Sequence, residues 1–213
     1  MKTLRNTLKA LLATSAIATA TCASALPAGW LDSLPAWTAT ASSCSVDESS
    51  AGKYEFWLSQ FRYLGSNVSG AGSSPFFLPQ PITVRCNVTP IYDYVPANPN
   101  VFGSTASWIS PSWNSLIVGY KDTDGISTKA QVSAALRKVS RATLGESTVA
   151  TFNSNLSASV VAHEEVKQFN HTFDFQNYDY YVEINLIRAD TTVTTPVAYS
   201  VRLTNGYVPV IPK

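Results

Sequence analysis

The sequence contains few charged residues for its length. Of its 213 residues, 14% are Asp, Glu, Lys or Arg, against about 25% in an average soluble domain, while the apolar share of 45% is ordinary. This composition excludes a charged coiled coil and a disordered acidic or basic tail. Lys and Arg total 15 and Asp and Glu total 14, so the basic excess that attracts nucleic acid is missing. We therefore expect no nucleic-acid partner.

Histidine and recognisable catalytic motifs are also scarce. The chain has 2 His and lacks a G-x-S-x-G elbow, a phosphate-binding loop, a dinucleotide fingerprint, a C-x-x-C pair and a haem motif. With only two imidazole side chains, the sequence gives little support for a Ser-His-Asp catalytic arrangement. The sequence thus assigns no catalytic and no cofactor-binding residue. A carboxylate pair of the glycoside-hydrolase kind stays open, because Asp and Glu on separate strands can meet in space.

Residues 1–25 have the features of a bacterial-type signal peptide. A basic start precedes an apolar run from Ala10 to Ala20, and Ala23-Ser24-Ala25 supplies the small residues that a signal peptidase requires. The run is too short to span a bilayer, and a polar chain follows it. We predict cleavage after Ala25, export to the periplasm or the exterior, and a mature chain without a transmembrane segment.

The predicted cleavage removes Cys22 and leaves an even number of cysteines in the mature chain, Cys44 and Cys86. In an exported protein such a pair predicts a disulfide. Cys86 lies in an alternating run, Ile82–Val88, that places it on the apolar face of a strand. A catalytic thiol is the alternative, but apolar surroundings raise rather than lower the pKa of a thiol. The sequence therefore predicts a bridge between the segment around Cys44 and the core.

Apolar and polar residues alternate along much of the chain, which indicates half-buried strands. The clearest runs are Ile82–Val88, Leu116–Tyr120, Phe169/His171/Phe173/Phe175, Tyr180/Val182/Ile184/Leu186 and Val197/Tyr199/Val201/Leu203. No linker or repeat divides the sequence. We predict an irregular lead-in over residues 26–43 and one all-β, antiparallel β-sandwich over residues 44–213.

Two segments fit either a helix or strands. Lys53–Leu64 carries aromatic residues at spacings that suit a helical face or a bulged strand, and its aromatic content favours the strand. Ala130–Arg141 also fits both periods. A Gly-containing turn at Thr143–Glu146 joins it to the strand-like run Thr148–Phe152, which favours a hairpin.

Several runs together resemble a recurring pattern. The runs are Leu116–Gly125, Leu136–Thr143, Ala150–Asn155, Phe173–Tyr178 and Tyr180–Glu183. Over roughly residues 80–203 the pattern is similar to uncharacterised exported bacterial proteins with a jelly-roll-like sandwich. The resemblance implies a jelly-roll-like fold and favours the hairpin over the helix, and it implies no activity.

Two groups of residues are candidates for metal binding. Asp122-Thr123-Asp124-Gly125 resembles the start of a calcium loop, since alternate carboxylates can converge on a hard cation. The glutamate that would end an EF-hand loop is replaced by Ser133, so a plain turn is the alternative. His163 and His171 form the second group. They are about 26 Å apart in an extended chain, and the alternative is that His171 packs among phenylalanines while His163 lies in a loop.

Aromatic residues are the remaining signal, at 11% of the chain. Several fall in predicted loops, namely Tyr92, Tyr94, Trp108, Trp113 and Tyr207. Rings beside hydroxyl and amide groups suit stacking on sugars, whereas buried rings fill a core. The leading hypothesis is a non-enzymatic binding or structural module of the cell envelope or exterior, with a glycan or an envelope component as partner. A secreted glycoside hydrolase and a subunit of a surface assembly are the alternatives.

Overall fold

The computed structural model describes residues 36–64, 81–95, 97, 100–189 and 193–205. The strands are β1 (Trp37–Thr40), β2 (Ser45–Val46), β3 (Tyr54–Trp57), β4 (Gln60–Tyr63), β5 (Ile82–Val88), β6 (Asp93–Val95), β7 (Ser107–Ile109), β8 (Ser115–Lys121), β9 (Ala130–Ser140), β10 (Glu146–Asn153), β11 (His163–Gln168), β12 (Tyr178–Arg188) and β13 (Val197–Thr204). Short 3₁₀ helices occur at Ala41–Ser43, Glu48–Ser50 and Ser154–Leu156. The predicted signal peptide lies outside the described residues.

Two antiparallel sheets pack into a sandwich. The front sheet has the order β11-β8-β13-β4-β3, with β1 also paired to β13. The back sheet has the order β10-β9-β12-β5-β2, and β6 and β7 form a separate two-stranded ribbon. From β8 onward the chain alternates between the sheets, apart from the β9–β10 hairpin. The four-strand orders β11-β8-β13-β4 and β10-β9-β12-β5 are those of a jelly roll, which confirms the predicted fold class.

Alternation explains the central strands of the back sheet. In β12 the side chains of Val182, Ile184 and Leu186 are fully buried. Each such aliphatic side chain contributes roughly 1.5–3 kcal/mol relative to an exposed one. Strand β5 has the predicted limits, and its Cys86 forms the predicted disulfide with Cys44. The bridge fastens the N-terminal side of the described chain to the sandwich core.

Both ambiguous segments are strands. Residues 130–140 form β9, which pairs with β10 and β12 along its length. Residues 53–64 hold a hairpin, β3 and β4, instead of the one bulged strand that the aromatic pattern favours. The turn falls at Leu58, whose φ of 55° is unusual for a residue with a branched side chain.

Three expectations for individual segments are wrong. Part of the irregular lead-in is strand β1, and its Trp37 is buried in the core. His163 begins strand β11 instead of lying in a loop. Residues 169–174, which were expected to be a strand, have no regular structure. Their aromatic rings are nevertheless held by packing, and the ring centres of Phe173 and the buried Trp113 lie 5.1 Å apart.

The alternation expected in β13 also fails. A β-bulge lies between Ala198 and Ser200, so the pairing with β8 shifts by one residue. The inward residues are therefore Ala198, Val201 and Leu203, all fully buried. Tyr199 is the extra residue of the bulge and is half-exposed. A one-residue insertion reverses the facing of every residue on one side of it.

Candidate functional site

The register of the front sheet aligns one residue from each of four neighbouring strands. Glu55 is opposite Arg62, Arg62 is opposite Val197, and Val197 is opposite Lys121. Phe61, Tyr63, Ala198 and Tyr120, which adjoin Arg62, Val197 and Lys121 along their strands, belong to the core, so this row faces away from it. At about 4.8 Å between strands, the row spans about 14 Å of the outer surface.

A cleft of about 420 Å³ lies over this row. Its lining includes Glu55, Gln60, Arg62, Lys121, Thr195 and Tyr199. The volume is in the range of small-molecule sites, and the lining combines a carboxylate, an amide, two cations, a hydroxyl and a phenol. Such a lining offers hydrogen-bond donors and acceptors on one surface.

Tyr199 enters the cleft because of the bulge in β13. With regular pairing, the register of Ala198 and Ser200 would leave no extra residue between them. Bulges commonly re-aim a side chain beside a functional site. Here the bulge places an aromatic ring among the polar groups of the front sheet.

Trp57 adjoins the cleft at the end of β3. Its side chain is 56% exposed, and its cross-strand partner Gln60 lines the cleft. The guanidinium carbon of Arg62 lies 5.2 Å from the centre of the Trp57 ring. Arg62 Nε is also 2.8 Å from a carboxylate oxygen of Glu55. Arg62 therefore connects the exposed indole to the polar row.

The wall of the cleft belongs to the segment between β12 and β13, and two contacts hold its backbone. The Thr123 hydroxyl donates to the carbonyl of Thr194 at 2.5 Å. The buried Arg188 donates from Nε and a terminal nitrogen to the carbonyl of Val193 at 3.0 and 2.7 Å. Hydrogen bonds to a charged donor contribute more than neutral ones, so this wall is fixed before a ligand binds.

The predicted calcium residues form a buried turn behind this wall. Asp122 has no exposed surface, and its carboxylate accepts hydrogen bonds from the Ser154 hydroxyl and from the amide of Asp124. Burial raises the pKa of Asp122 to about 6. Burial also acts to raise the pKa of Asp124, but the backbone amides of Ala130 and Lys129 hold it below its ordinary value. Because Asp122 is enclosed, this carboxylate pair cannot reach a glycosidic bond.

The two histidines are not brought together. His163 begins β11, while His171 lies beyond the end of that strand. The ring centre of His171 lies 5.2 Å from that of Phe173, and its Nε2 is 3.0 Å from the Tyr180 hydroxyl oxygen. Burial, together with the charge of Lys138, lowers the pKa of His171. Within the described ranges, no three residues among His, Cys, Asp and Glu converge on one point.

His163 lies near Ser159 and Glu165, an order of residue types that hydrolases use. Its Nδ1 is 2.8 Å from the carbonyl oxygen of Val161, which can only accept a hydrogen bond. Nδ1 therefore carries the proton and cannot take one from the Ser159 hydroxyl, which is 3.3 Å away. This geometry does not give Ser159 a general base.

The aromatic residues of the predicted loops are not grouped at the cleft. Trp113 is 1% exposed and belongs to the core, and Tyr92 is 40% exposed and packs edge-on against Phe175. Tyr94 and Trp108 lie on the β6–β7 ribbon, and nothing further of their side chains is described. Tyr207 is outside the described residues. Sequence reasoning missed Trp57 and Tyr199. Trp57 lies in a segment that fitted both a helix and a strand, and the alternation around Tyr199 predicted that it faces the core.

The outer face of the back sheet has a different character. Glu183 lies between Arg85 and Arg137, at 3.1 and 3.2 Å, and Arg85 also contacts Asp47. These charges satisfy one another across neighbouring strands. The front sheet, in contrast, combines the exposed ring of Trp57 with a polar cleft.

None of the helices in the described ranges has the length and the apolar content of a membrane span.

Comparison with models of known protein families and with curated protein sequences finds no match. Among solved structures, the chain is similar to a low-affinity xylan-binding module, CBM86, from the xylanolytic gut symbiont Roseburia intestinalis. The likeness has a TM-score of 0.40 and 16% sequence identity, over 80% of this chain and 96% of that module.

Proposed function

We propose that this protein is an exported, non-enzymatic module that binds a glycan in the front-sheet cleft. The observation that carries the proposal is the placement of Trp57 and Tyr199 beside one polar row, Glu55, Arg62 and Lys121. A sugar ring has apolar C–H faces and a rim of hydroxyl groups. Aromatic rings pack against such faces, while carboxylate, amide and ammonium groups bind the hydroxyls.

Export is part of the proposal and is supported by two features. The first 25 residues fit a signal peptide, and Cys44 and Cys86 are bridged. Disulfides persist in oxidising compartments such as the periplasm and the exterior. Polysaccharides of cell envelopes and of the surroundings are available as ligands there.

The proposed role is binding and not hydrolysis because of how the carboxylates are used. In the cleft, Glu55 is paired with Arg62 at 2.8 Å. Glu55 is the one carboxylate among the described residues that line the cleft, whereas glycoside hydrolysis uses a pair. The Asp122 carboxylate accepts a hydrogen bond from the backbone amide of Asp124 and is enclosed in the turn behind the wall.

Calorimetric titration with a panel of soluble polysaccharides tests this proposal. The expected result is binding of at least one polysaccharide, weakened about 3- to 10-fold by Trp57→Ala and by Tyr199→Ala, because each ring supplies roughly 0.5–1.5 kcal/mol beyond area burial. Phe102→Ala is the matched control, since Phe102 is a fully exposed ring away from the cleft. Equal weakening by all three variants, or no binding to any polysaccharide, contradicts the proposal.

A further inference from the structure

The charges of the front-sheet cleft do not balance. Arg62 is neutralised by Glu55, at 2.8 Å. Next to the cleft on the same face, Arg202 is neutralised by Glu164, at 2.5 Å. Lys121 forms no ion pair with any of the described residues, although it lines the cleft and is half-buried. The cleft thus presents one ammonium group whose charge is available to a ligand.

The position of Lys121 makes this charge a ligand contact rather than a solvated surface charge. Its strand position places it at the end of the row that begins at Glu55, directly opposite Val197. The Thr195 hydroxyl and the Tyr199 ring lie in the same cleft. A half-buried cation is screened less by salt than an exposed one, so an anion bound there gains more.

We infer that the glycan bound in the cleft is acidic, with a uronic-acid carboxylate placed on Lys121. This inference rests on the proposed glycan-binding function and assigns its ligand class. A single ammonium matches a group of charge −1, such as a carboxylate. A phosphate monoester carries about −1.5 to −2 at neutral pH and is typically bound by several cations, whereas the second cation of this cleft, Arg62, is already paired with Glu55.

Matched pairs of polysaccharides test the inference. Each pair has an acidic and a neutral member: polygalacturonate with its methyl ester, alginate with its carboxyl-reduced form, and glucuronoxylan with arabinoxylan. Calorimetric titration of the full mature chain at low and high salt measures both members. The expected result is that the acidic member of the bound pair binds about three- to fivefold more tightly, and that added salt reduces this preference.

Substitution of the lysine separates charge recognition from general binding. Lys121→Gln is expected to abolish the preference for the acidic member and to leave the affinity for the neutral member unchanged. Lys167→Gln is the matched control, because Lys167 is an exposed lysine on β11 away from the cleft. Trp57→Ala is expected to weaken both members equally.

Three results overturn the inference. If both members bind equally, or if Lys121→Gln weakens both by the same factor, Lys121 binds a hydroxyl group and the glycan is neutral, while the proposed function stands. If neither member of any pair binds, the inference fails together with the proposed function.

Discussion

The guanidinium of Arg62 lies over the exposed ring of Trp57, 5.2 Å from its centre, while its Nε approaches Glu55. One side chain thereby orients an aromatic ring and neutralises a carboxylate at the edge of the cleft. Cation–π contacts at exposed sites contribute about 0.5–1 kcal/mol. This contact holds Trp57 in the position where it can pack on a ligand.

Substitution of Arg62 by Met should weaken glycan binding about threefold, because the Trp57 ring loses the cation that orients it. Titration calorimetry measures the effect. Arg141→Met is the control, since Arg141 forms an exposed ion pair with Asp179 at 2.7 Å elsewhere. An unchanged affinity in Arg62→Met would show that the ring needs no such support.

Removing the Thr123 hydroxyl should loosen the wall of the cleft. In Thr123→Val the carbonyl of Thr194 loses its donor at 2.5 Å, while the volume of the side chain is kept. We expect faster amide exchange at residues 193–195 and weaker glycan binding, with the exchange of β12 unchanged. Exchange measured by mass spectrometry tests this, and protection equal to that of the wild type in residues 193–195 would contradict it.

Loss of the disulfide should destabilise the fold. The bridge closes a separation of 42 residues, for which the chain-entropy model gives about 4 kcal/mol and measurements typically give 2–4 kcal/mol. Cys44→Ala combined with Cys86→Ala should lower the free energy of unfolding by about 2–4 kcal/mol in denaturant titrations. Reduced wild-type protein should unfold like the double variant, and a loss below about 1 kcal/mol would contradict the expected role.

Asp122 should make the stability depend on pH. Its pKa of about 6 in the folded chain is above its ordinary value of 3.8, so the folded state binds this proton more tightly than the unfolded state. Its contribution to stability is therefore complete below about pH 4 and is lost as the pH rises through 6, with a total of about 1–3 kcal/mol. Asp122→Asn imitates the protonated form and should reduce the change in melting temperature between pH 5 and 7.5.

The calcium hypothesis predicts a different behaviour of the same turn, namely that an added cation stabilises it. If Asp122 and Asp124 hold a cation, millimolar calcium should raise the melting temperature of the wild type at neutral pH and not that of Asp122→Asn. A protonated Asp122 carboxyl group without a bound cation gives no such response. The pH dependence and the calcium response of the wild type and of Asp122→Asn therefore distinguish a protonated carboxyl group from a calcium site.

The sequence predicts best those strands that have one apolar face and one polar face. Val182, Ile184 and Leu186 alternate with polar residues along β12, and β5 has the same pattern, so both follow from period-two spacing. Strand β11 carries mostly polar residues at the edge of the front sheet, and no alternation marks it. In contrast, residues 169–175 alternate without pairing, because their rings pack around Trp113.

The cleft was beyond sequence reasoning for a different reason. Trp57, Lys121 and Tyr199 are distant in sequence and meet only through the jelly-roll order of β3, β4, β13 and β8. Alternation predicted that Tyr199 faces the core. The β-bulge, for which the sequence has no local signal, places its side chain on the outer face instead. The disulfide could be predicted, since the predicted cleavage after Ala25 removes one of the three cysteines and leaves a single possible pairing.

The most direct test of glycan binding on the front sheet is an NMR titration of the ¹⁵N-labelled protein with a bound oligosaccharide. Chemical-shift changes are expected at Trp57, Arg62, Lys121 and Tyr199, including the indole N–H of Trp57, with the outer face of the back sheet around Glu183 unchanged. Shift changes confined to Arg85, Arg137 and Glu183, or to the surface around Tyr92, would contradict binding in the front-sheet cleft.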